Sequence, residues 1–147
     1  MDEGDILRIE EITIDRYETS LSLFEKFSQV CGPICRSTLI DHKEGRITPV
    51  PQPGGATYTK KITKEEGQVD FTSESAETIY RKYQAFTPWP GIWTVVAGKR
   101  CKILRVGHPE DPVSTGILIP TFSGNIEIFE VQFEGKKPTP ATRSLLD

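Results

Sequence analysis

A chain of 147 residues with 36% hydrophobic and 27% charged side chains suffices for one domain, or a small domain with part of another, and its composition excludes a disordered tail. No apolar run approaches the roughly 20 residues that cross a bilayer, and the acidic start Met1-Asp2-Glu3-Gly4-Asp5 lacks the basic-then-apolar order of a secretion signal, which predicts a cytoplasmic location. The net charge of -3 is spread unevenly, with six Lys/Arg against ten Asp/Glu in residues 1–55 and twelve against eleven in residues 56–147.

Residues 5–14, DILRIEEITI, are β-branched and partly alternating, which predicts one or two short strands. Thr19-Ser20 has N-cap chemistry, and Leu21, Leu23, Phe24, Phe27 and Val30 recur at helical spacing. Gly32-Pro33 interrupts this pattern, and proline suits the first turn of a new helix. Two helices are therefore expected, near 20–30 and 33–44, with Gly45 ending the second. Residues 48–55, TPVPQPGG, hold three prolines and two glycines and predict a connector at a domain boundary.

Beyond it, residues 58–62 read as a strand. Thr72-Ser73 should cap a helix running to about Phe86, with Ala76, Ile79, Tyr80, Tyr83 and Phe86 as its buried stripe. In Pro88-Trp89-Pro90-Gly91 the prolines fix φ and push each preceding residue out of the helical region, so the helix must stop and the chain must turn. Phe86, Pro88, Trp89, Pro90 and Gly91 are expected to form a structural corner whose indole seals the end of a small core. Residues 92–97 and 100–106 predict a hairpin around Gly98-Lys99, with Arg100 and Lys102 on one side and Cys101 and Ile103 on the other. Strands at 116–122 and 126–133, a turn at 134–138 and a short helix from Thr139 or Pro140 to Leu146 complete the reading. The fold class expected is α+β, a small OB-like β-barrel with one long helix, because closure removes sheet edges.

Three cysteines, Cys31, Cys35 and Cys101, give no disulfide framework and are expected as small buried side chains. Cys31 and Cys35 could share a helical face, but His42 and His108 are the only histidines and no four-ligand metal site results. Residues 97–107 hold Lys99, Arg100, Lys102 and Arg105 without an acid, and Lys60, Lys61 and Lys64 form a second acid-free cluster. Such clusters favour a polyanion.

The order of short motifs adds to this. Ala56-Thr57-Tyr58, Lys64-Glu65-Glu66-Gly67, Asp70-Phe71, Ala85-Phe86, Pro88 to Gly91, Gly98-Lys99-Arg100-Cys101-Lys102-Ile103 and Val131-Gln132-Phe133-Glu134-Gly135-Lys136-Lys137-Pro138 follow one another in an order that resembles the C-terminal domain of methionyl-tRNA formyltransferases. Met1-Asp2-Glu3-Gly4-Asp5-Ile6-Leu7 resembles the family segment that follows the catalytic Asp. The resemblance implies that residues 1–48 are a strand/helix remnant of the α/β formyltransferase catalytic domain, 49–55 a linker and 56–147 the OB-like C-terminal domain. Gln84 in place of a common Arg, Thr87 in place of Asn before Pro88, and a span from 107 to 125 that is short by about one strand depart from the family.

Family members bind and orient initiator tRNA for formyl transfer from 10-formyltetrahydrofolate, and the resemblance implies the same pathway here. Their catalytic Asn, His and Asp lie in Asn-x-His and His-Pro-Ser-Leu-Leu-Pro settings. Asn125 is the only asparagine and neither histidine has such a setting, so no catalytic residue, cofactor or metal site is assigned to this chain, which is expected to be inactive alone. The expected partners are initiator tRNA and an N-terminal catalytic half, with no membrane and no DNA. Lys60, Lys61, Arg100, Lys102, Arg105, Lys136 and Lys137 are the candidate phosphate contacts. Two alternatives stay open: part of an amino-sugar formyltransferase, or a stand-alone OB-type RNA-binding module, for which Trp93 and Phe122 are the aromatics available for stacking.

Overall fold

The computed structural model describes residues 3–111, 113 and 115–143. They fall into two compact units, one of the residues up to Arg16 together with Ser22–Lys61, the other of Tyr17–Leu21 together with the residues from Ile62 on.

The first unit is built on α1 (Ser20–Lys43), a single helix with Pro33 inside it, so the two helices expected from Gly32-Pro33 are one. Proline removes one backbone hydrogen bond and strains the preceding turn, and here the helical runs on either side carry the spiral through. The helix ends as expected near Gly45, which adopts φ +69, while Arg46 N–H donates to the Asp41 carbonyl at 2.8 Å. Arg8 donates to Ser37 Oγ at 2.7 Å and Asp41 Oδ2 at 2.5 Å, and Arg46 Nε to Asp41 Oδ1 at 2.8 Å. Hydrogen bonds from Arg46 and then Arg8 hold the Asp41 carboxyl below its ordinary range. Residues 5–14 form no strand. Ile6 makes one bridge, exchanging N–H···O bonds of 2.8 and 2.9 Å with Val50, because among the described residues no longer segment pairs with it. For the same reason the strand expected at 58–62 is irregular chain, with Tyr58 88% exposed. Little in this unit is buried. Phe24, Phe27, Leu39 and Ile40 are exposed on α1, and Cys31 and Cys35 are exposed too, which corrects the expectation that all three cysteines are buried.

The second unit is a helix packed on an antiparallel sheet. After a 3-10 turn (Glu65–Gly67) come α2 (Ala76–Phe86), β1 (Ile92–Val96), β2 (Lys99–Val106), β3 (Ile117–Pro120), β4 (Asn125–Phe133) and β5 (Thr139–Pro140). The strand order is β1-β2-β4-β3, with β5 also on β4. This is an open sheet, not the closed barrel expected. Segment 68–69 takes the outer edge of β1, with Gln68 bridging Trp93 and Val69 N–H donating to the Trp93 carbonyl at 2.8 Å; an edge covered in this way needs no closure. The terminal helix is corrected as well. Thr139 and Pro140 pair with Val131 and Glu130, since prolines 138 and 140 favour extended backbone; the end of the expected helix lies outside the described residues.

α2 starts at Ala76, later than Thr72-Ser73 suggested. The Asp70 carboxylate accepts Thr72 N–H, Thr72 Oγ1–H and Ser73 Oγ–H at 2.9, 2.7 and 2.9 Å, which folds 70–73 into a turn. Ser75 is the residue left to cap, accepting Thr78 N–H at 3.1 Å. Ala76, Ile79 and Tyr80 are buried against Ile92, Cys101, Ile103, Ile126, Ile128 and Val131, with Tyr83 and Phe86 half-buried beside them. The hairpin turns at Ala97 (φ +47) and Gly98 (φ +74), not Gly98-Lys99. Two left-handed central residues give the turn that matches strand twist.

Candidate functional site

The site begins at the end of α2. Thr87 N–H and Oγ1–H both donate to the Tyr83 carbonyl, at 3.1 and 2.6 Å. The Thr87-Pro88 and Trp89-Pro90 peptide bonds are cis, and Gly91, at φ +74, returns its N–H to the Phe86 carbonyl at 2.9 Å. Pro90 is buried and Phe86 half-buried, whereas Pro88 is exposed and Trp89 is 54% exposed. The Trp89 indole therefore does not seal the core. The turn at Glu65–Gly67 packs onto Pro90 and Gly91 so closely that a β-carbon on Gly67 would meet the Gly91 carbonyl.

Strand alternation supplies the rest. Ile92, Thr94, Cys101, Ile103 and Val131 face the core, so the other face carries Trp93, Lys102 and Gln132, aligned by the registers Trp93↔Lys102 and Lys102↔Gln132. Arg100 pairs with Val95 on that face. Its guanidinium carbon lies 3.7 Å above the centroid of Trp93, a cation–π stack. Trp93 Nε1–H donates to the Lys64 carbonyl at 2.9 Å, tying the turn before α2 to the edge of the sheet. Trp89, Trp93, Lys64, Arg100 and Lys102 line one cleft of about 350 Å³, and among the described residues Glu134 is its only carboxylate. Among the described residues Lys64, Arg100 and Lys102 form no ion pair, and Arg100 Nε is buried without a hydrogen-bond partner.

Of the seven basic residues singled out from the sequence, the cleft brings together Arg100 and Lys102. Lys136 and Lys137 are exposed on the turn whose Gly135 also lines it, and the Lys136 carbonyl accepts Gln132 Nε2–H at 2.9 Å. Arg105 is elsewhere. Register shifts between Ile103 and Val106 break the alternation, and its guanidinium stands 4.6 Å over the Phe129 ring. There it partly offsets the burial that pushes the Tyr83 hydroxyl up. Lys60 and Lys61 are exposed in the irregular segment of the other unit. Lys64 belongs to a basic cluster legible in the sequence but not to the seven candidate contacts, Gln132 and Glu134 are not among those candidates either, and Trp89 is expected there only as packing. The signal that could have found the cleft is the alternation in β1, which places Trp93 opposite Lys102.

The two histidines and the buried Glu127 lie outside the cleft. His42 lies in the last turn of α1. His108 stands edge-on to Tyr80, 4.8 Å between centroids, and its Nδ1 accepts Glu110 N–H at 3.1 Å. Glu127, 3% exposed, accepts Gly116 N–H on Oε1 and Val113 N–H on Oε2, both at 2.7 Å, so its carboxylate fastens the loop before β3. Among the described residues no three His, Cys, Asp or Glu side chains converge as a metal site, and no helix is long and apolar enough to cross a membrane.

Comparison with known proteins is consistent with this picture. Residues 61–145 match the family described as "Formyl transferase, C-terminal domain". The methionyl-tRNA formyltransferase of Acidobacterium capsulatum is 34% identical, over 97% of this chain and 49% of its own length. That of Myxococcus xanthus is 33% identical over 93% of this chain and 47% of its own, and that of Thermus thermophilus 41% identical over 65% and 34%. The chain thus spans about half the length of the first two. Among solved structures, HypX from Aquifex aeolicus in complex with tetrahydrofolic acid shares the fold with a TM-score of 0.69 at 20% identity, over 98% of this chain and 28% of that one.

Proposed function

Because this chain belongs to the family of formyltransferase C-terminal domains, we propose that it is the RNA-binding part of an enzyme that formylates methionyl-tRNA. The unit from residue 62 on holds and orients initiator tRNA in translation initiation, in the cytoplasm, and a catalytic half supplies the Asn, His and Asp that move the formyl group from 10-formyltetrahydrofolate. The relatives' name, methionyl-tRNA formyltransferase, supports the substrate, and the tetrahydrofolic acid complex of HypX supports the donor class. This chain contributes binding and no reacting group.

The observation that carries the reading is the cleft whose three cations, Lys64, Arg100 and Lys102, have no acidic partner among the described residues. Such a cluster is stabilised by a polyanion, and phosphates satisfy it without sequence being read. Lys136 and Lys137 extend the cationic surface along the neighbouring turn, and Lys60, Lys61 and Arg105 add further phosphate contacts. The exposed Phe24, Phe27, Leu39 and Ile40 of α1 support a second part of the reading: residues 1–48 belong to the catalytic domain, whose remainder covers them, 49–55 are the linker and 56–147 the RNA-binding domain. Neither an amino-sugar formyltransferase nor a stand-alone RNA module is favoured, since the named relatives act on methionyl-tRNA.

Electrophoretic mobility shifts of tRNA with this chain, run against a nucleotide-sugar competitor, test the proposal. Binding that the competitor leaves intact is expected; absence of tRNA binding at low salt contradicts it.

A further inference from the structure

The cleft holds more than charge. Cations alone would serve for backbone phosphates, yet here they surround two indoles, one of them more than half exposed and both without an aromatic partner within the described residues. One face of Trp93 is occupied by the Arg100 guanidinium. The prolines on either side restrict the backbone at Trp89, so stacking on its exposed indole orders little beyond the side-chain torsions. A volume of about 350 Å³ lies at the small end of ligand clefts, which run from about 300 to 1,000 Å³, and suits a single nucleotide. In the interior of a duplex both faces of each base are covered by its neighbours, so along a strand it is an unpaired base that offers a face to the indole.

We propose that this cleft takes one unpaired nucleotide of an RNA strand, its base against the Trp89 indole and its phosphate at Arg100 and Lys102. This rests on the RNA-binding reading above and deepens it from phosphate contact to recognition of an unpaired position. Arg100 Nε, buried and unpartnered, gains an acceptor when the phosphate arrives. The Gln132 amide and the Glu134 carboxylate, both in the lining, provide polar groups for the edge of the base.

The two tryptophans are the only ones in the sequence and both line the cleft, so intrinsic fluorescence reports on this site. Titration of the full chain with a short single-stranded oligoribonucleotide should quench it at saturation. A blunt duplex of the same sequence should bind through phosphates with little quenching, and a nucleoside monophosphate should bind far more weakly than the strand. Equal quenching by duplex and single strand, no quenching by either, or a monophosphate as tight as the strand each overturns the proposal. Trp89→Ala should weaken single-strand binding on the order of tenfold while Trp89→Phe restores most of it. Should Trp89→Ala, shown to be folded, bind the single strand as wild type with an unchanged salt slope, the stack is refuted and the phosphate reading stands. Loss of the salt slope in the wild-type chain would instead refute that reading.

Discussion

A β-carbon placed on Gly67 would lie 2.1 Å from the carbonyl oxygen of Gly91, so the turn before α2 and the corner after it meet through bare backbone. Lys64 lies three residues before Gly67 and Trp89 two residues before Gly91. Gly67→Ala must push the turn and the corner apart, at a cost of about 1–3 kcal/mol for an overpacked contact. Urea unfolding should show a lower midpoint with the slope unchanged; a midpoint equal to wild type would mean the approach is looser than described.

Glu127 should matter for stability. Its two oxygens take the Val113 and Gly116 N–H groups, and removing the carboxylate orphans both. Glu127→Ala is expected to cost on the order of 3 kcal/mol, since bonds to charged groups are each worth about 1.5–3. Amide hydrogen exchange at Gly116 should accelerate at the same time. Protection that survives the substitution would assign the loop's order to something else.

Asp70 gives the unit from residue 62 on an acid-sensitive joint. The Thr72 hydroxyl and N–H, then the Ser73 hydroxyl, hold its carboxyl below the ordinary 3.8. The folded chain therefore takes up this proton less readily than the unfolded one. The stability that follows is present above 3.8 and is lost as pH falls through the lower folded value. Wild type should exceed Asp70→Asn in denaturant midpoint at neutral pH, and the gap should close on acidification. A gap that stays constant with pH would contradict the assignment.

The thiols should separate by reactivity. Cys101 is fully buried and burial pushes its thiol above the ordinary 9.0, while Cys31 and Cys35 are exposed. Because the thiolate is the nucleophile, iodoacetamide should label Cys31 and Cys35 in the native chain and Cys101 only after unfolding, as read by peptide mass spectrometry. Native labelling of Cys101 would contradict its burial.

What could be read from the sequence follows a physical division. The stripe Ala76, Ile79, Tyr80 and the alternation that buries Cys101 and Ile103 are local periodicities, and they place α2, the hairpin and the faces of β2 correctly. The elements misread are those whose state is decided by a partner far along the chain. Residues 5–14 and 58–62 look like strands but find no ladder, and β1 needs no closing strand because segment 68–69 reaches its edge. The exposure of Trp89, 54%, has no signature in the local pattern Pro88-Trp89-Pro90-Gly91. Arg100 and Lys102 were legible as one face of a strand; Arg105 was not, because a register shift has no signature in composition.

The proposed tRNA binding depends on Arg100 and Lys102 meeting phosphate. The most direct measurement is tRNA affinity as a function of salt for the wild-type chain and for Arg100→Glu/Lys102→Glu. Wild-type affinity should fall steeply as salt rises. The double variant should bind more weakly at low salt, with a slope shallower by roughly two, because each neutralised phosphate contributes close to one unit. A wild-type affinity indifferent to salt, or a double variant that binds as well as wild type with the same slope, would contradict it.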